Sequence, residues 1–122
     1  MEVIGIGVDV VEVSRIKDLI SKWGKKFLSR IYTKSEIEYC SKRRRKFEHF
    51  AGRFAAKEAV FKALGKRVSW QKIETLHGKN GAPKTEVTLD NCRFDSYINV
   101  LISISHTKNI AMAFVILTEK QM

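Results

Sequence analysis

The stretch Lys46-Phe-Glu-His-Phe-Ala-Gly-Arg-Phe-Ala-Ala-Lys-Glu-Ala-Val-Phe-Lys-Ala-Leu-Gly65 carries the longest helical signal in the chain. It is rich in alanine and phenylalanine and holds no glycine between Gly52 and Gly65. Gly65 suits the left-handed cap that closes a helix, so the spacing predicts a helix over Lys46–Leu64. At about 100° per residue Phe47, Phe50, Phe54 and Phe61 fall in one narrow arc, which gives that helix an apolar face to bury. Glu58 projects close to the stripe and Lys57 lies on its other edge. A carboxylate beside a buried stripe is costly unless it is paired or metal-bound. Two readings stay open: a site carboxylate, or an ordinary i, i+4 ion pair from Glu58 to Lys62. Arg53, Lys57 and Lys62 also give the helix cations for a phosphate-rich ligand, although such charge runs are commonly solvated faces.

Working outward, Val3–Val11 is β-branched with a period of two and predicts a strand. Ile4, Ile6, Val8 and Val10 occupy one face, while Gly5, Gly7 and Asp9 share the other. The missing side chains leave room for another element or a ligand to come close, and Asp9 faces that room. Asp9 suits either a cation or the capping of the following turn. Ser14 is expected to cap a helix from about Arg15 to Trp23-Gly24, and Phe27–Tyr32 predicts a short helix. Thr33-Lys-Ser-Glu36 has capping-box spacing and predicts another, through Cys40. Downstream, Ile73–His77 and Lys84–Leu89 read as strands around Lys79-Asn-Gly-Ala-Pro83. Asn99–Ser105 and Ile110–Leu117 read as a hairpin across His106-Thr-Lys-Asn109. Helices lie early and strands late, with one strand at the start. The pattern predicts a single α+β domain over 1–122, a mainly antiparallel sheet with the long helix packed on it.

The 122 residues are 44% hydrophobic and 30% charged, which argues against disorder, and one proline among them leaves no linker-like tract. The apolar runs are too short to span a bilayer, and the N-terminal run lacks the regions of a secretory leader. Cys40 and Cys92 are too few for a disulfide framework and have no metal-ligand spacing, so a cytoplasmic protein is expected. The informative quantity is a formal charge of +10, a field that attracts nucleic acid, an anionic membrane, a phosphorylated metabolite or an acidic protein. His106 continues the phase of Val100, Ile102 and Ile104 and then meets the turn, so it can project from the sheet rim beside Thr107. No pattern assigns a function to His49 or His77. The run Lys42–Lys46 suits phosphate contacts or, more simply, a solvated loop. A lone Gly5-Ile-Gly7 without a third glycine does not make a dinucleotide fingerprint.

Three segments, Gly5-Ile-Gly-Val-Asp9-Val-Val-Glu-Val-Ser-Arg15-Ile16, Ala51-Gly-Arg-Phe-Ala-Ala-Lys-Glu58-Ala-Val-Phe-Lys62-Ala-Leu-Gly65 and Ser103-Ile-Ser-His106-Thr107, occur in this order. Together they resemble the signatures of short bacterial holo-acyl-carrier-protein synthases, in the 4′-phosphopantetheinyl transferase family. Asn80-Gly-Ala-Pro83 and the closing apolar strand fit as well. The agreement is poorest in 66–79 and 86–98, where no function is placed.

The resemblance implies the 4′-phosphopantetheinyl transferase fold. It also implies transfer of the 4′-phosphopantetheine arm of coenzyme A to a serine of apo-acyl carrier protein, in support of fatty acid biosynthesis. Adenosine 3′,5′-bisphosphate would leave. It implies Mg²⁺ on Asp9 and Glu58, with Asp9, Glu58 and Lys62 as the catalytic set. Arg53, Lys62, Gly65, Pro83, His106 and Thr107 would contact coenzyme A, and Arg15 would dock the acidic carrier. A homotrimer with coenzyme A between neighbouring subunits is implied too. The serine proton would go to a metal-bound water, Glu58 or another base. Mg²⁺ suits this donor set, because it takes one or two carboxylates and completes its shell with water and phosphate. No membrane or nucleic-acid partner is expected; the rival is a small basic nucleic-acid-binding domain, which leaves the Asp9 and Glu58 pattern unexplained.

Overall fold

Strand β1 (Val3–Glu12) lies directly on the long helix, and its two glycines are the reason. A Cβ built on Gly5 would collide with the Ala63 carbonyl, and one on Gly7 with the Ala59 carbonyl. The room left by the missing side chains is therefore filled by a helix. Gly7→Ala is expected to destabilise by about 3 kcal/mol, the upper end for overpacking, because the obstacle is helix backbone. Urea denaturation measures this, and a loss below about 1 kcal/mol would show that β1 can lift off freely.

The computed structural model describes residues 2–88 and 98–120. After β1 come α1 (Val13–Trp23), α2 (Lys25–Ile31), α3 (Lys34–Ser41) and α4 (Lys46–Leu64). A single 3₁₀ turn at Trp70–Lys72 leads into β2 (Ile73–His77), β3 (Pro83–Val87), β4 (Ile98–His106) and β5 (Ile110–Glu119). The strands form two antiparallel sheets, β1-β5-β4 and the hairpin β2-β3. Leu89 and Cys92 lie outside the described residues. No described helix is long and apolar enough to cross a membrane.

The local signals explain most boundaries. Thr33 accepts from the Glu36 amide at 3.2 Å and the Glu36 carboxylate accepts from the Thr33 amide at 2.9 Å, a complete capping box. Gly65, at φ 74°, closes α4 where expected. Ser14 does not cap α1: the helix begins one residue earlier at Val13, with no side-chain cap at Glu12. The cause is the sheet, which pairs Glu12 with Ile110 and lets the Val13 amide donate to the Asn109 carbonyl at 2.9 Å. One orphan amide of the first turn is thereby satisfied without Ser14.

Helix α4 is buried on nearly every side. Its alanines meet β1 and β5, where Val11, Ala111, Ala113, Val115 and Leu117 complete the core. Its phenylalanines meet the other helices and Trp70, whose ring stacks on Phe54 at 5.3 Å and stands edge-on to Phe61 at 5.0 Å. The surprise is Lys57, which is fully buried. Its ammonium pairs with Glu36 at 2.9 Å and donates to the carbonyls of Trp70, at 3.0 Å, and Ile73. Lys57 is therefore not a cation for a ligand; it ties α4 to α3 and to the approach to β2.

The outer face of the three-stranded sheet is apolar and open. Ile6 (61% exposed), Val8 and Val10 of β1 lie beside Phe114 and Met112 of β5 and Leu101 of β4 (51% exposed). The glycine side of β1 is inside, and its β-branched side points outward.

Candidate functional site

The site residues fall into two groups at opposite ends of α4. At the C-terminal end, Asp9 follows the two glycines out of the helix contact. Lys62 reaches across to donate to its carboxylate at 3.2 Å and to the Val8 carbonyl at 2.9 Å. Glu58 lies one turn before Lys62, and of the two readings left open for it the Glu58–Lys62 pair does not form. Lys62 is drawn to β1 instead, and Glu58 is met by the fork of Arg67 at 3.2 and 3.5 Å. Asp9, Glu58 and Lys62 are thus brought together, with Gly65 just beyond them. Two carboxylates, each balanced by one cation, offer hard oxygen donors to a metal. No group of three or more His, Cys, Asp or Glu side chains suited to a metal occurs among the described residues. The donor set therefore fits an ion that takes few protein ligands and fills its shell with water and phosphate oxygens, as Mg²⁺ does.

At the N-terminal end, His106 Nδ1 meets Glu48 at 2.8 Å, and its ring lies 5.4 Å from that of His49. Thr107 turns its hydroxyl inward to accept from the amides of Asn109 and Ile110, each at 3.2 Å, and so shapes the β4–β5 turn. Arg53 departs from expectation. It is 2% exposed, meets His77 at 2.9 Å and lies 4.6 Å from the Tyr39 ring centre. The sequence placed it on a helix face suited to phosphate; packing of α3 and β2 over that face sets its guanidinium against His77 and Tyr39. Pro83, half-buried at the start of β3, pairs with His77.

No pattern in the sequence groups the histidines, yet their rings join through Tyr39: its ring stacks on His77 at 4.7 Å and meets His49 edge-on at 5.8 Å, and His49 in turn lies 5.4 Å from His106. Burial, then the Arg53 guanidinium and His106, pull His49 from its ordinary value down to about 4. Burial and the cations Arg53 and Arg43 lower His77 as well. Between about 6.5 and about 4 the unfolded chain therefore binds the His49 proton and the folded chain does not, so stability falls as pH falls through that window. His49→Phe is expected to flatten the fall of Tm over the same range in circular dichroism, and an unchanged slope would count against this assignment.

A basic groove of about 520 Å³ adjoins this end, between the start of α1 and the β4–β5 turn. Lys17, Arg44, Arg45, Lys46 and Lys108 line it, with Glu12 and Glu48 as the acids. The run Lys42–Lys46 thus contributes three cations to a concave surface. The two ends are separated along the helix: Glu48 and Glu58 are about 15 Å apart at 1.5 Å per residue.

Comparison with known proteins bears on both ends. Residues 5–115 match the family model described as the 4′-phosphopantetheinyl transferase superfamily. The chain is 43% identical to a holo-[acyl-carrier-protein] synthase of Protochlamydia amoebophila, over 93% of this chain and 96% of that protein. It is 42% identical to the protein of the same name in Halothermothrix orenii, over 92% and 94%. The holo-(acyl-carrier-protein) synthase of Bacillus anthracis, solved in complex with CoA (3′,5′-ADP), superposes with a TM-score of 0.81 at 36% identity, covering 98% of each chain. The Helicobacter pylori synthase in complex with coenzyme A gives 0.83 at 31% identity, over 93% of this chain and 99% of that one.

Proposed function

The chain belongs to the 4′-phosphopantetheinyl transferase superfamily, and from that we infer that Asp9, Glu58 and Lys62 form its catalytic centre. Its activity is transfer of the phosphopantetheine arm of coenzyme A to acyl carrier protein, the modification that serves fatty acid biosynthesis. One observation carries the site assignment: Asp9 and Lys62, fifty-three positions apart, converge beside Glu58 at one end of α4.

Asp9 and Glu58 are the residues that would hold Mg²⁺. When bound, the ion would offset the negative charge of the pyrophosphate oxygens while its phosphorus is attacked. Lys62, held over the site by Asp9 and the Val8 carbonyl, lies against the same pyrophosphate and balances charge on the departing phosphate. The carrier serine oxygen forms a bond to the phosphorus nearest pantetheine as its O–H bond breaks and the proton passes to water or to Glu58. The bond from that phosphorus to the bridging oxygen breaks, and adenosine 3′,5′-bisphosphate leaves. Gly65, three residues past Lys62, and Pro83, paired with His77, are assigned to coenzyme A.

His106, Thr107 and the basic groove are assigned to the nucleotide, and the neighbouring copy of a homotrimer supplies them. Two features support this. The two groups stand at opposite ends of α4 in one chain, and the open apolar face of β1, β5 and β4 is of the kind that subunits cover. Arg15, exposed on α1 with its guanidinium 5.9 Å from the Phe54 ring centre, is assigned to docking the acidic carrier, and the overall charge of +10 favours that encounter. A cytoplasmic setting follows from these substrates.

The test incubates the purified protein with apo-acyl carrier protein, coenzyme A and Mg²⁺ and weighs the carrier intact. A gain of roughly 340 Da, one phosphopantetheine arm, that EDTA abolishes is expected. A gain that survives EDTA would remove the metal from the reading.

A further inference from the structure

Arg67 lies in a stretch to which the sequence assigns no function, yet it contacts a site carboxylate directly. Its guanidinium presents NH2 to one Glu58 oxygen at 3.2 Å and NH1 to the other at 3.5 Å, a two-pronged arrangement. An aromatic shelf positions it: the guanidinium carbon lies 4.6 Å from the Phe61 ring centre and 5.3 Å from that of Trp70. Trp70 is fixed in turn by Phe54 and Phe61. An exposed ion pair is ordinarily weak because two long side chains must be ordered to make it. Here the shelf holds the guanidinium in place and Glu58 sits on the rigid body of α4, so much of that ordering is already done.

Both oxygens of Glu58 are thus engaged by a cation of the chain itself. A metal must displace that cation before it can use the carboxylate. Coenzyme A changes the balance, because its pyrophosphate offers the guanidinium another anion in the same place. We propose that Arg67 is a positioning residue: it closes Glu58 in the free enzyme and yields it when coenzyme A arrives, so that metal loading depends on the nucleotide substrate. This rests on the assignment of Glu58 as a metal ligand.

The test measures Mn²⁺ binding by the electron paramagnetic resonance signal of the free ion, using the purified protein with and without coenzyme A. Circular dichroism confirms the fold of each variant. Without coenzyme A, R67Q is expected to bind Mn²⁺ about fivefold tighter than the parent, the scale of one well-formed exposed ion pair. With coenzyme A present the two should agree within about twofold, since the pair is already open. Equal affinity without coenzyme A would overturn the proposal, and so would weaker binding by R67Q, which would make Arg67 a support for the metal instead of its competitor. E58Q separates the two levels of the argument. If E58Q binds Mn²⁺ as the parent does, the metal assignment falls and this inference falls with it. If E58Q loses Mn²⁺ while R67Q gains nothing, only the inference falls.

Discussion

Asp9→Ala and Glu58→Ala are each expected to slow phosphopantetheine transfer by on the order of 10³-fold or more at saturating Mg²⁺, with the fold intact. The loss is large because no third acidic, histidine or cysteine side chain joins these two among the described residues, so nothing replaces either as a metal donor. The fold is expected to survive because both carboxylates sit at the rim of the α4–β1 contact. Their partners Lys62 and Arg67 are exposed cations, and water takes over when the pair is lost. The rate of mass gain on the carrier measures the first effect and thermal melting the second. A variant with full activity at saturating Mg²⁺ would sink the metal assignment.

The second large effect is on stability. Lys57→Ala is expected to cost about 3–5 kcal/mol, because it strands the Glu36 carboxylate, which is fully buried, without its counter-charge. Burial pulls the Lys57 ammonium below the usual lysine range, and Glu36 opposes that pull. Glu36 is also occupied elsewhere: one oxygen accepts from the Thr33 amide and the other from the Thr75 amide, each at 2.9 Å. Removing the lysine therefore disturbs α3, α4 and β2 together. Chemical denaturation measures the loss, and a cost under about 1 kcal/mol would show that the pair opens to water. Lys57→Met with Glu36→Gln should recover part of the deficit, since no charge is then left buried and the amide oxygen can still accept from one of the two backbone amides.

Lys57 and Glu58 show where reading the chain residue by residue stops. They are adjacent on one helix, and the sequence placed both at the edges of the phenylalanine stripe as groups for chemistry. Helix α4 turned out to be covered almost all round, so the arc of four phenylalanines was only part of its buried surface. Docking of α3 and Trp70 took in Lys57, while Glu58 kept its access at the other edge. Arg53, also on this helix, is buried as well. A helical wheel shows which side chains share a face and is silent on which faces a neighbour covers. The open sheet face extends the point: the period of two in β1 was plain, but the apolar side was the outer one, because only the glycine side lets β1 lie against a helix backbone.

The sequence by itself determined what depends on short stretches of chain. The capping box at Thr33–Glu36, the left-handed stop at Gly65, the glycine side of β1 and the three motif segments were all legible there, as was the family they point to. Each rests on backbone preferences or on spacing over a few residues. Only the tertiary structure decided the partnerships between distant residues: Lys62 with Asp9, Arg67 with Glu58, Lys57 with Glu36, and His49 and His77 against Tyr39. It also decided that the site residues divide between the two ends of α4. Those outcomes follow from which surfaces pack and which charges burial then forces to pair, energies that exist only once the chain has closed on itself.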